Sequence, residues 1–190
     1  MTVFLAWHPR KKSGMPSMAF FCANFKEDKM SKLSTQSLVR QAMIAAAYFV
    51  LTITLGQFAY GPIQFRYAEI LNLLAFYNPV HAIGVTIGVF LSNIGSPLGI
   101  YDLIFGTAHT IIALIFIIKS RHLFVASLWP TIFSFIIGYE IAYLGGAGSE
   151  LFAIITLQVM ASEFIIMSLI AFPLFKLLEK NQRFMKAIKE

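Results

Sequence analysis

The sequence predicts an all-α integral membrane protein, a bundle of six transmembrane helices with both termini cytoplasmic. Three observations carry that prediction. Of the 190 residues, 58% are hydrophobic and 13% charged, against roughly a quarter charged in soluble domains, and the mean hydropathy is +0.74. The apolar residues fall in long blocks instead of alternating with period two, which favours helices over a β-barrel. The basic residues gather at the chain ends and in one short loop, the pattern by which membrane proteins are oriented.

The same charge distribution excludes other classes. A net charge of +6 and a pI near 9.5 come without an aromatic-interleaved basic face, so no nucleic-acid partner is expected. Cys22 is the single cysteine, which rules out an intrachain disulfide and a cysteine-based metal cluster. Residues 1–29 begin with a short apolar run followed by Arg10-Lys11-Lys12, the wrong order for a secretory signal. The expectation is a disordered cytoplasmic tail or a start-site artefact, with the six-helix domain occupying 30–190 from Met30.

Helices of about 20 residues cross a ~30 Å hydrocarbon core, and on that basis spans are placed at 37–57, 66–77, 79–94, 101–119, 123–144 and 150–178. In the first, Ala42, Ala45, Ala46 and Ala47 make a small-residue face that admits close helix packing. The second and third are short and are separated at Asn78-Pro79, because proline disfavours helix at the residue before it. The fourth ends at Lys119 and the fifth follows Arg121. The sixth is preceded by Gly145-Gly146-Ala147-Gly148 and followed by a basic tail.

The 15 Lys and Arg residues test this arrangement. Arg10, Lys11, Lys12, Lys26, Lys29, Lys32 and Arg40 lie before or at the start of the first span. Lys119 and Arg121 join spans four and five, and Lys176, Lys180, Arg183, Lys186 and Lys189 close the last. Only Arg66 falls on the opposite side, so the termini are expected inside and Arg66 outside.

Depth then sorts the polar residues. Arg66 and Glu69 open span two at the outer side, Asn93 ends span three there, Asp102 opens span four and Glu140 ends span five. Glu163 and His109 lie deeper, and His81 belongs to the inner end. Arg66, Glu69 and Asn72 recur every third residue, as Asp102, Gly106 and His109 share a second stripe and Thr156 and Glu163 a third. Ionisable groups at membrane depth are costly and mark polar cavities or transport paths. Blander roles stand beside these: an Arg66–Glu69 ion pair, Asp102 as a helix cap, an interfacial Glu140, and His109 as a hydrogen-bonded helix contact, with no second ligand spaced for a metal.

Gly61-Pro-Ile-Gln64-Phe-Arg66-x-x-Glu69, followed by Asn93, Asp102-x-x-Phe105-Gly106-Thr107 and a late Glu163, resembles the QueT family. These are six-helix substrate-binding S-components of energy-coupling factor (ECF) importers associated with queuosine precursors. The resemblance runs from about Val39 to Leu178, and the chain departs from the family pattern at Ser134, Ser162 and His109. It implies capture of a 7-deazaguanine base such as 7-aminomethyl-7-deazaguanine. It also implies a transmembrane coupling subunit (the ECF T-component) and two cytoplasmic ATPases as partners. Gln64, Arg66, Tyr67, Glu69, Asn72, Asn93, Asp102, Glu140 and Glu163 are the expected substrate-binding residues, and Ala42 and Ala46 the expected docking residues for the coupling subunit. Intramolecular packing is the alternative for that pair.

Such a base presents a carbonyl beside ring N–H and exocyclic NH₂ donors, so a carboxylate can accept two parallel hydrogen bonds while Gln or Arg donates to the carbonyl. Tyr60, Phe65 and Tyr67 are placed to stack on it. The chain has no Gly-x-x-x-x-Gly-Lys-Ser/Thr loop, so it carries no recognisable P-loop ATPase. It has no His-Glu-x-x-His or Gly-x-Ser-x-Gly either, which argues against an enzyme, and no cofactor is expected. Two alternatives stay open: an S-component for another ligand such as a cobalamin-type corrinoid, and a proton-coupled secondary transporter using Glu163 and His109. No internal repeat supports the second.

Overall fold

A computed structural model describes residues 34–54, 56, 60 and 65–189. The expected tail at 1–29 and the candidate Gln64 lie outside the described residues. Contacts divide the chain after Ser37, and the unit from Leu38 onward is the helical body described here.

Among the described residues the secondary structure is entirely helical. Helix α1 spans Thr35–Thr54. Helix α2, residues 67–77, is a 3₁₀ stretch Tyr67–Leu73 running into one α-turn, Leu74–Tyr77. Helices α3 and α4 are His81–Ile94 and Ile100–Lys119. Helix α5 (Leu123–Leu144) and helix α6 (Ser149–Leu178) are long but irregular, and a short α7, Gln182–Lys189, closes the chain.

Four of these, α1, α4, α5 and α6, are long and apolar enough to cross a membrane. The 14 residues of α3 reach only about 21 Å at 1.5 Å per residue, and α2 is shorter still. Both short segments correspond to the spans that Asn78-Pro79 separates. Large side chains such as Met43, Ile94, Ile104, Leu157, Leu169 and Leu177 are more than half exposed. Such a surface needs lipid as its solvent, since soluble monomers rarely expose contiguous apolar patches beyond several hundred Å².

Helix breaks have local causes. Gly99, with φ +58, turns the chain into α4 in a conformation that side chains with a Cβ rarely adopt. Pro130 lies inside α5 and cannot donate to the preceding turn. Ser134 interrupts the helix four residues later, its hydroxyl donating to the Pro130 carbonyl at 3.0 Å. Two π-helical segments follow, Glu140–Leu144 in α5 and Phe164–Ala171 in α6.

The helices pack largely in chain order, α3 on α4, α4 on α5 and α5 on α6, while α2 fits between α4 and the second half of α6. Helix α1 meets α3 through two glycines. A Cβ at Gly88 would lie 2.6 Å from Tyr48 Cβ, and one at Gly84 would lie 2.7 Å from the Gln41 carbonyl. This small-x-x-x-small spacing lets two backbones approach closely. Two apolar clusters result. The larger joins Tyr48, Leu73, Leu74, Val85, Leu114, Met167 and Phe175, and the smaller holds α5 to α6 through Ile137, Ile141, Ile155 and Val159.

Helix α7 was not anticipated from hydropathy, because its apolar residues are few. Asn181 Oδ1 accepts from the backbone N–H groups of Arg183 and Phe184 at 3.1 and 3.2 Å, which starts the helix as a side-chain cap. Phe184, Met185 and Ile188 then pack on the larger cluster, and the Ile188 carbonyl lies 2.8 Å from His81 Nε2.

Candidate functional site

The site starts where α2 starts. Arg66 precedes the helix in an extended conformation, φ −100 and ψ 92, so it is not on the face that Glu69 and Asn72 share. A 3₁₀ helix has three residues per turn and eclipses i with i+3. Glu69 and Asn72 are therefore stacked, and Asn72 Nδ2 donates to Glu69 Oε2. The other oxygen of Glu69 accepts the hydroxyl of Tyr48, from α1, at 2.7 Å.

Arg66 turns to α4 instead. Its Nη2 stands 3.9 Å from Asp102 Oδ1, with both side chains buried, and its guanidinium lies over the Tyr60 ring at 5.3 Å. Asp102 also accepts a hydrogen bond from Ser96 Oγ. The close ion pair, at 3.9 Å, is thus formed across 36 positions, while Glu69 still interacts electrostatically with the same guanidinium. Nor does Asp102 cap α4, whose N-cap is Gly99 with no side-chain hydrogen bond.

Glu140 and Glu163 complete the cluster from α5 and α6. Glu140 is the first residue of one π segment, and Glu163 immediately precedes the other. Glu140 is fully buried among the helices; it interacts electrostatically with Asp102 and Arg66. Neither of its oxygens has a hydrogen-bond partner of ordinary geometry among the described residues. Glu163 is 4% exposed, interacts with Glu69 and Arg66, and leaves Oε2 without a partner.

Neighbouring polar groups frame the cluster. Asn93 Nδ2 approaches Thr107 Oγ1 at 3.5 Å and lies where a Cβ on Gly106 would stand 2.7 Å away. Glycine at 106 is thus what admits Asn93 to the α4 face, one turn from Asp102. His109 is a helix contact, its Nε2 3.1 Å from the Pro130 carbonyl. Gly138 lets α6 approach so closely that a Cβ there would lie 3.0 Å from Thr156 Cα.

The chemistry of the assembly is one-sided. Among the described residues Glu69, Asp102, Glu140 and Glu163 face one guanidinium, and the buried acceptors Asn72 Oδ1, Asn93 Oδ1, both Glu140 oxygens and Glu163 Oε2 lack donors of ordinary geometry. Buried acceptors are satisfied in folded proteins, so this set calls for N–H donors or positive charge. Among the described residues no group of three His, Cys, Asp or Glu side chains is arranged to hold a metal ion.

Other expected residues sit elsewhere. Tyr67 is 39% exposed and meets Phe65 edge-to-face at 5.0 Å, outside the buried cluster. Ala42 and Ala46 are exposed on α1, while Ala45 between them is buried against α3. Two residues of the cluster escaped the sequence reading, Tyr48 and Ser96. A tyrosine in the middle of an otherwise apolar span was the available signal for the first, since a buried phenol needs an acceptor. Ser96 had none.

Apolar helices around a buried polar cluster make this a multi-pass membrane protein, and its family makes it a transporter in class. The chain belongs to the QueT transporter family, whose model matches residues 38–180. It is 48% identical over 66 residues to the queuosine precursor transporter QueT of Lactococcus lactis subsp. cremoris (strain MG1363), a stretch covering 34% of this chain and 39% of that relative. No solved structure matches the chain.

Proposed function

We propose that this protein is the substrate-binding membrane subunit of an ECF-type importer, and that it binds a 7-deazaguanine queuosine precursor. The single observation that carries the reading is the buried, donor-poor set of carboxylates, Glu69, Asp102, Glu140 and Glu163, around Arg66. The guanine-type edge offers two parallel N–H donors to a carboxylate and a carbonyl to a guanidinium. Similarity to a relative named as a queuosine precursor transporter supports the same ligand.

In this reading the chain has six spans, with α2 and α3 sheltered by their neighbours, and both termini are cytoplasmic. The cluster then opens to the outside, through loops that include Gly95–Gly99 and Gly145–Gly148. The proposed partners are a transmembrane coupling subunit and two ATPases, in keeping with a chain that carries no phosphate-binding loop of its own. The exposed Ala42 and Ala46 are the proposed docking residues.

The test is calorimetric titration of the full chain in detergent with 7-aminomethyl-7-deazaguanine, its 7-cyano analogue, guanine and cobalamin. Submicromolar binding of a deazaguanine, weakened in Glu69→Gln and Glu163→Gln, is the expected result. Binding of cobalamin alone overturns the ligand and keeps the transporter class.

A further inference from the structure

Two of the four carboxylates have partners among the described residues. Glu69 takes the Tyr48 hydroxyl and the Asn72 amide, Asp102 takes Ser96 and faces Arg66, and Glu163 leaves one oxygen without a partner. Glu140 differs from all of them. It is fully buried, neither of its oxygens has a hydrogen-bond donor of ordinary geometry among the described residues, and the carboxyl group it interacts with is that of Asp102.

Arg66 cannot balance both. Its Nη2 is directed at Asp102 at 3.9 Å, and the same guanidinium also interacts with Glu69. Asn93 adds to the acceptor character, its Oδ1 buried without a donor one turn of α4 from Asp102. A buried carboxylate left this way is expensive unless a positively charged group pairs with it. An aliphatic ammonium has three donors and no acceptor, which matches two free carboxylate oxygens and a nearby amide oxygen.

We infer that Glu140 is the ammonium-binding residue of the site, so that it selects a base bearing an aminomethyl group over the same base bearing an uncharged substituent. This rests on the deazaguanine reading above and goes beyond it by dividing the work. Glu69 and Glu163 lie on the α2–α6 side of Arg66 and read the flat base. Glu140 and Asp102 lie on the α4–α5 side and take the cationic arm. The placement of Glu140 at an α-to-π junction is in keeping with this, because π turns recur at functional sites.

The test compares 7-aminomethyl- and 7-cyano-7-deazaguanine, which differ at one substituent, on the full chain and on Glu140→Gln and Glu140→Asp. The full chain should prefer the aminomethyl base. Glu140→Gln should lower that preference by about a hundredfold, as loss of one partner of a buried charged hydrogen bond does. Glu140→Asp, which keeps the charge on a shorter arm, should retain part of it. Melting temperature without ligand controls for folding, and it should not fall in Glu140→Gln, because the amide keeps a donor toward Asp102 and removes a carboxyl group from beside it. An unchanged preference in Glu140→Gln, or equal losses for both bases, overturns the assignment while leaving the deazaguanine reading in place. Binding of neither base by the full chain overturns that reading and this inference with it.

Discussion

Tyr48 and Glu69 belong to different helices, yet the phenol of one donates to the carboxylate of the other at 2.7 Å in a fully buried contact. That bond ties α1 to the start of α2, where Arg66 leaves the backbone toward Asp102. The framework of the cluster and the packing of α1 are therefore one structure. The Cβ of Tyr48 seats against Gly88 while its hydroxyl holds Glu69.

Tyr48→Phe keeps the packing and removes the donor. Glu69 Oε1 is then buried with one acceptor position unfilled, at a cost of about 1–2 kcal/mol. A lowered melting temperature in detergent, with helix content unchanged by circular dichroism, is the expected reading. No change in melting would show that Glu69 finds another donor.

Arg66→Gln should be more severe. It leaves Asp102 buried without its cation, and breaking a buried pair by removing one partner costs about 3–5 kcal/mol. Adding Asp102→Asn should recover a large part of the loss, giving a strong coupling in a double-mutant cycle. Additive losses would mean that the 3.9 Å approach contributes nothing.

Replacing Ala42 and Ala46 together with Leu should abolish co-purification with the coupling subunit and leave ligand titration intact. Both side chains are exposed on α1, and the inward small residue is Ala45. The intramolecular contact of α1 is made instead through Gly84 and Gly88. Loss of ligand binding together with the complex would assign the two alanines to packing.

Glu179 lies just beyond the end of α6. It accepts from Lys176 at 2.9 Å and from the Tyr77 hydroxyl at 3.1 Å, and the Lys176 hydrogen bond leads the causes holding its carboxyl below the usual range. A depressed folded-state value stabilises above the unfolded-state pKa, near 4.3, and the gain is lost as pH falls through the folded value. Because the pair is solvent-screened, Glu179→Gln should cost under about 1 kcal/mol at neutral pH. In paired melts the difference should shrink as pH falls below the unfolded-state pKa, near 4.3, and vanish once the folded-state value is passed; a difference that persists at still lower pH would assign the effect to packing.

The long spans were legible because hydropathy and charge act over whole helices: 123–144 coincides with α5, and the fourth and sixth spans differ from α4 and α6 by one residue at the start. Depth alone grouped Arg66, Glu69, Asn93, Asp102 and Glu140 at one side, and set Glu163 deeper. What pairs with what did not follow from it. Spacing by three placed Arg66 with Glu69 on the assumption that both lie in one helix, whereas Arg66 is extended and only Glu69 and Asn72 are helical. Ser96 and Tyr48 join the site through contacts between elements, which no periodicity within one element encodes. Helix α7 was missed because its apolar residues are set by docking onto α2 and α3, not by a membrane-spanning length.

The π segments make chain length itself a determinant of the site. Each accommodates more residues per turn than an α-helix, so Glu140–Leu144 and Phe164–Ala171 set the angular phase between the two ends of α5 and of α6. Were 164–171 to relax to α geometry with its residue count unchanged, the span would stay apolar and long enough to cross the bilayer, yet each residue that the wider turns had absorbed would rotate one end against the other by about 100°. Glu163 would then swing from the cluster toward lipid without any change in its chemistry. The site thus depends on these two helices keeping their wide turns, a constraint on their counting and not on their composition.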